Sequence, residues 1–143
     1  MMSKKRFSEK ELVEGMTPYH AHMAGFKAAD NILSSWDCTN RQIQKILNIS
    51  KLSYDEFKTN QKQITLSNDQ LVRVSYILNI HNVLRVIFNN SDNVKGFMSM
   101  RNHNDDFSGR SPIQVIESGI LGDLQKVYKH IDRLQRNGLM CDL

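Results

Sequence analysis

Apolar side chains recur at intervals of three and four residues along most of this chain, and few segments alternate apolar with polar residues. Intervals of three and four place apolar side chains on one face of an α-helix, whereas a half-buried strand requires alternation. Only two prolines and seven glycines punctuate the 143 residues. The sequence therefore predicts an all-α fold.

The composition limits the class of protein. A chain of 143 residues, 40% of them hydrophobic, is long enough for one domain, or two small helical subdomains, with a real core. No apolar run is long enough for a transmembrane helix, and the basic start lacks the apolar stretch of a signal peptide. The two cysteines have no CxxC partner. We therefore expect a cytoplasmic protein that does not contact membranes.

Caps and turn residues predict the helix boundaries. A first helix is expected over residues 21–36, and three further helices are each expected to start at a capping box, a Ser or Thr followed three positions later by Gln. The three pairs are Thr39 with Gln42, Ser67 with Gln70, and Ser111 with Gln114. Asn79 or Asn82 is expected to bend the helical segment that Ser67 caps.

The polar segment 89–93 is the predicted hinge between two domains, because Asn, Ser and Asp favour turns. It divides the chain into an N-terminal arm (1–18), a first domain (19–90) and a C-terminal domain (91–143). Within the C-terminal domain we expect a short helix over 94–100, a loop over 101–110 and a final amphipathic helix that starts at 121.

Residues 39–60 have the pattern of a helix-turn-helix. Ile43 and Leu47 form the inner face of a first helix, and Asn48 tolerates the left-handed backbone of a sharp turn. Tyr54 and Phe57 form the inner face of a second helix. All 22 residues resemble the Xre-type helix-turn-helix family without a gap, although that family usually has a small Ala in place of Gln44 and Gly in place of Asn48.

The outward positions of this motif are candidate DNA contacts. The N-terminus of the second helix favours anions, and residues 39–63 carry five basic and two acidic side chains, +3 of the net charge of +4. Asp55 and Glu56 oppose DNA binding, because each repels phosphate. The predicted DNA-binding residues are Arg41, Ser50, Lys51, Leu52, Ser53 and Lys58.

The C-terminal third contains Gly109 shortly before a Ser-Pro cap, an aliphatic helix that ends in Gly119, and a long amphipathic helix that ends near Gly138. In this order the features resemble the toxin-binding domain of the Xre/MbcA/ParS-type antitoxins. Members often have a Trp in the helix before the loop, where this chain has Phe97 and Met98. Together the two resemblances cover residues 19–143.

The resemblance implies a dimeric type II antitoxin that neutralises a cognate toxin, most often a RES-domain protein that consumes NAD, and represses its own operon. It also implies that residues 133–143 cover the toxin, and an apolar chain end is the kind of surface that usually has a partner. The alternative is a tail that folds back or frays. The predicted toxin-binding residues are Arg133, Arg136, Leu139, Met140, Cys141, Asp142 and Leu143.

Two other functions stay open at this point. One is a stand-alone transcriptional regulator whose C-terminal domain only dimerises. The other is an interaction module whose helix-turn-helix no longer contacts DNA, and Asp55 and Glu56 are its main support.

Catalytic and metal motifs are missing from the sequence. There is no GxSxG, P-loop or GxGxxG, and we expect neither an enzyme nor a bound cofactor. Five histidines lack metal-ligand spacing and are predicted to lie at the surface or at caps. Cys38 is expected to be buried, and Trp36, Met98 and Met100 are expected in the core.

Overall fold

The computed structural model describes residues 18–59, 65–104 and 106–137, and within these ranges the chain forms seven helices and no strand. The predicted all-α fold is therefore confirmed. The helices are α1 (Pro18–Ser35), α2 (Asn40–Leu47), α3 (Lys51–Thr59), α4 (Asn68–Ile87), α5 (Ser91–Ser99), α6 (Pro112–Ile116) and α7 (Leu121–Arg136).

All three predicted capping boxes are present, ahead of α2, α4 and α6. In each of them the Ser or Thr side-chain oxygen accepts a hydrogen bond from the Gln backbone N–H at 3.1 Å, and Oε1 of the Gln accepts one from the backbone N–H of the Ser or Thr at 2.8 Å. These reciprocal bonds satisfy backbone N–H groups that the first turn of a helix leaves without partners. Local chemistry therefore sets where these helices begin.

The predicted bend in α4 is wrong, because one helix runs through both Asn79 and Asn82. An interior Asn costs a helix only a few tenths of a kcal/mol to about 0.7 kcal/mol. That cost is small beside the burial of apolar side chains on both sides of the two asparagines, such as Ile77 and Leu84, which are fully buried. Tertiary packing therefore keeps α4 continuous.

Two other boundaries differ from expectation by three residues. α1 begins at Pro18 and not at residue 21, and α5 begins at Ser91 and not at residue 94. The earlier start of α5 has a local cause, because the Asn90 side chain accepts a hydrogen bond from the N–H of Asn93 and caps the helix. Asn90 thus belongs to a helix cap inside the predicted hinge. Residues 1–17 of the predicted arm lie outside the described residues.

One hydrophobic core runs through the described residues on both sides of the boundary expected at residues 90 and 91. α4 packs against α1 on the N-terminal side and against α7 on the C-terminal side. Trp36 and Met98 lie in this core as expected. Met100 does not, because it caps the end of α5 outside the apolar face of that helix, and it is 65% exposed.

Two of the five histidines are buried, which contradicts the expectation of surface or capping positions. Nδ1 of His22 accepts a hydrogen bond from the backbone N–H of Leu66 at 2.7 Å, and burial lowers the pKa of His22. His130 lies 3.3 Å from the side-chain amide of Asn102. Burial, followed by the positive charge of Arg133, lowers the pKa of His130, and Asp106 opposes that shift. Both rings therefore serve the packing of the fold.

No single helix among the described residues has the length and apolar composition needed to cross a membrane. Among the described helices, α4 and α5 together have that length and composition, but the two helices are bent by 118° relative to each other.

Candidate nucleic-acid interface

α2, the residues after it and α3 form a helix-turn-helix. Asn48 ends α2 in the left-handed conformation, with φ 56° and ψ 48°, and its N–H donates to the last turn of α2. The N–H of Ile49 donates to the carbonyl of Gln44 at 2.8 Å, and the Ile49 side chain is buried. The Ser50 hydroxyl then accepts the N–H of Ser53 at 3.2 Å and caps α3. The predicted left-handed turn at Asn48 is confirmed.

α3 is held against α1 by aromatic packing and a buried polar cluster. Phe26 stacks on Phe57 with 4.7 Å between ring centroids and meets Tyr54 edge-on at 5.7 Å. The carboxylate of Asp30, which is only 4% exposed, accepts a hydrogen bond from the Tyr54 hydroxyl at 2.6 Å. Burial, followed by this hydrogen bond, raises the pKa of Tyr54. The contacts with Phe26 and Asp30 of α1 therefore set the orientation of α3.

The motif also has a shallow groove of about 620 Å³ on its surface, which we call the polar groove because most of its lining residues are polar. Four of the six predicted DNA-binding residues line it, and Lys45 adds a further positive charge that was not in the predicted set. The lining residues are Arg41, Gln44, Lys45, Asn48, Ile49, Ser50, Lys51, Ser53 and Gln70. Leu52 is not among them, and its side chain is 71% exposed on the surface of α3.

Lys58 is the predicted DNA contact whose position differs most from the others. Its ammonium group donates to Asp30 at 2.8 Å and lies 5.6 Å from the centre of the Tyr54 ring. The ammonium group thus neutralises a buried carboxylate. The contact of Lys58 with DNA stays a prediction, and a phosphate would compete with Asp30 for the ammonium group.

The negative charge of Asp55 is partly offset by Lys51 within α3. Its carboxylate accepts a hydrogen bond from Lys51 Nζ at 2.9 Å, one helical turn away, and both side chains are largely exposed. Exposed pairs of this kind contribute at most about 1 kcal/mol, so Lys51 can exchange this partner for a phosphate at small cost. Lys51 therefore offsets the negative charge of Asp55 only while the two side chains stay paired.

Arg73 on α4 joins the helix-turn-helix to the C-terminal helices. Its side chain is 8% exposed, and one guanidinium nitrogen donates both to the carbonyl of Ile46 at 3.1 Å and to that of Gly119 at 2.8 Å. Its Nε also donates to Asp69 at 2.9 Å. Sequence reasoning missed this residue, although a charged side chain between Val72 and Val74 on an apolar helix is a signal of a buried polar contact.

The turn between α6 and α7 packs directly on the end of α2. Gly119 has a φ of +77°, and a Cβ there would lie 2.9 Å from the Lys45 side chain and 3.1 Å from its carbonyl. Glu117 accepts a hydrogen bond from the Gln42 amide at 2.7 Å. Gln42 therefore has two roles, one in the capping box of α2 and one in docking α2 on the C-terminal helices.

The predicted toxin-binding residues are described only in part. Arg133 and Arg136 are exposed on the last turns of α7, where Arg133 lies 3.6 Å from Asp106 and Arg136 lies 3.0 Å from Asp132. The other five residues of that prediction, Leu139, Met140, Cys141, Asp142 and Leu143, lie outside the described residues. The structure therefore places two basic side chains at the start of the predicted segment 133–143.

The described residues contain no group of three His, Cys, Asp or Glu side chains arranged to hold a metal ion. Cys38 is buried as expected, and burial, with the nearby charges of Glu117 and Asp37, raises its pKa to about 12. A thiol with that pKa is a poor nucleophile at neutral pH. Comparisons with protein-family models, curated proteins and solved structures found no match to this chain.

Proposed function

We propose that this protein is a type II antitoxin that represses transcription by binding operator DNA as a dimer and neutralises a cognate toxin of the RES-domain class. The observation that carries the proposal is the helix-turn-helix, with a left-handed Asn48 in its turn and Arg41, Ser50, Lys51 and Ser53 along one polar groove. A helix-turn-helix binds DNA by placing the N-terminal residues of its second helix in the major groove.

The toxin-binding part of the proposal is supported by the resemblance of the C-terminal third and by the order of its elements. The Ser-Pro cap, short α6, Gly119 turn and long amphipathic α7 follow one another as in the antitoxin pattern. Arg133 and Arg136 are exposed, and residues 139–143, which follow in the sequence, are apolar except for Asp142. A segment with both basic and apolar side chains suits a protein partner, because it combines electrostatic steering with burial of apolar surface.

The first experiment is co-expression of the tagged chain with the product of the neighbouring gene. We expect the neighbour to arrest growth alone, to be harmless when both are made, and to co-purify with the tagged chain. A benign neighbour that does not co-purify would contradict the antitoxin role and leave the stand-alone regulator as the explanation of the helix-turn-helix.

Deleting residues 139–143 is expected to weaken neutralisation of the toxin and leave DNA affinity unchanged, because the proposal assigns DNA binding to the groove of α2 and α3 and toxin binding to these five residues. Growth rescue and co-purification measure the first effect, and a DNA-binding titration measures the second. A matched variant in which the five residues become Gly and Ser keeps the chain length and isolates the contribution of the side chains. Full neutralisation by both variants would place the toxin contact elsewhere.

Lys51→Ala is expected to weaken DNA binding and to lower the slope of log affinity against log salt by about one unit, the effect of losing one phosphate contact. Lys51 is the most suitable lysine, because it lines the groove and its side chain is 79% exposed. Lys129→Ala on α7 is the control, since that lysine is also exposed but belongs to another helix. Equal slopes for both variants would show that DNA is bound by a different surface.

A further inference from the structure

Leu52 is an exposed apolar residue among polar side chains on the surface of α3. It is the most exposed large apolar side chain among the described residues, and no other such side chain is exposed on α2 or α3. The remaining three, Val86, Met100 and Ile120, belong to α4, the end of α5 and the start of α7. A single exposed apolar side chain is common on protein surfaces, so what points to a contact is the place of Leu52 in the helix-turn-helix.

The helix geometry shows on which side of α3 the Leu52 side chain lies. Leu52 is the second residue of α3, and a period of 3.6 residues places it on the side of α3 away from Tyr54 and Phe57, which are buried. Its chain neighbours Lys51 and Ser53 both line the polar groove. Leu52 therefore stands at the N-terminal end of the second helix, where a helix-turn-helix presents side chains to base edges.

The surroundings favour DNA over a protein partner. A protein contact that depends on a leucine usually contains a cluster of apolar and aromatic side chains. Near Leu52 on α3 the side chains are those of Lys51, Ser53, Asp55 and Glu56, and none of them is apolar, although the two acidic ones repel phosphate. The major groove, by contrast, offers a small apolar group within a polar surface, the 5-methyl group of thymine. A single leucine between a lysine and a serine matches that pattern.

We propose that Leu52 packs against the 5-methyl group of a thymine in the major groove and so selects a T·A pair at one position of each half-site. The inference rests on the proposed function, because it requires DNA to be bound through α3. Its ligand is a duplex that contains thymine at that position, and Leu52 is the residue that distinguishes thymine from the other bases.

The test uses the full chain and synthetic duplexes. Binding sites are first selected from a randomised duplex library, and each thymine of the selected site is then replaced singly by deoxyuridine, which removes only the methyl group. We expect one thymine in each half-site at which this replacement weakens binding about fourfold, the equivalent of about 0.8 kcal/mol for one buried methyl group. The same replacement is expected to have no effect on the Leu52→Ala variant.

Met100→Ala is the matched control, because it removes another exposed apolar side chain that lies outside the helix-turn-helix. It is expected to keep the full sensitivity to deoxyuridine. Far-UV circular dichroism of both variants checks that the helices are retained, as expected for two exposed positions.

The possible results separate this inference from the proposed function. Selected sites that tolerate deoxyuridine at every thymine, or a sensitivity that Leu52→Ala retains, would overturn the inference and leave DNA binding intact. A library from which nothing is enriched, with no duplex bound, would overturn both. If Leu52→Ala binds DNA normally but no longer retains a co-expressed partner, Leu52 is a protein contact and the inference is wrong.

Discussion

Replacing Arg73 with methionine is expected to lower the free energy of unfolding by about 3 kcal/mol. Methionine retains much of the apolar stem but donates no hydrogen bond, so the carbonyls of Ile46 and Gly119 lose the donor that joins them. Urea denaturation followed by circular dichroism measures the change. A slope against urea equal to that of the unaltered protein would show that the effect is on stability.

The control for this variant is Arg85→Met, on the same helix. Arg85 is exposed, and substitutions at exposed sites usually change stability by less than about 0.5 kcal/mol. Arg73→Lys is a further comparison, because it keeps the charge but not the forked set of donors. If Arg73→Met is no less stable than Arg85→Met, the bridge between the helix-turn-helix and the α6–α7 turn contributes nothing.

Features that depend on a few neighbouring residues could be predicted from the sequence. Each capping box is complete within four residues, and the left-handed turn depends on the tolerance of Asn48 for that conformation. The apolar faces of α2 and α3 follow from the helical period, so Ile43, Tyr54 and Phe57 were placed in the core correctly. Four of the predicted DNA contacts consequently share one groove.

Features that depend on residues far apart in the chain could not be predicted. Arg73 contacts Gly119 across 46 residues, and Asp30 contacts Tyr54 across 24. Periodicity shows which face of a helix is buried but not which face of another helix covers it. The ion pair of Lys58 with Asp30 was missed for the same reason, since nothing near Lys58 in the sequence indicates that Asp30 lies close to it. The continuity of α4 was missed because burial outweighs the weak local preference of Asn.

Asp30→Asn is expected to lower the free energy of unfolding by about 2 kcal/mol and to loosen α3 in particular. An amide has the shape of the carboxylate, so the change leaves no cavity, but it removes the negative charge that faces Lys58 and one of two acceptor oxygens. Urea denaturation measures the loss of stability, and amide hydrogen exchange resolved by residue shows whether protection falls first in α3.

Asp55→Asn is the matched control, since it neutralises an exposed carboxylate on α3 that also pairs with a lysine. Its effect on the free energy of unfolding is expected to be below about 0.5 kcal/mol.

Tyr54→Phe removes only one donor and leaves the Lys58 ion pair, so a loss of about 1 kcal/mol in the free energy of unfolding is expected. If Asp30, Tyr54 and Lys58 act as one cluster, the double variant Asp30→Asn, Tyr54→Phe loses less free energy of unfolding than the sum of the losses of the two single variants. Strict additivity, or an Asp30→Asn protein as stable as Asp55→Asn, would mean that aromatic packing on Phe26 alone fixes the orientation of α3.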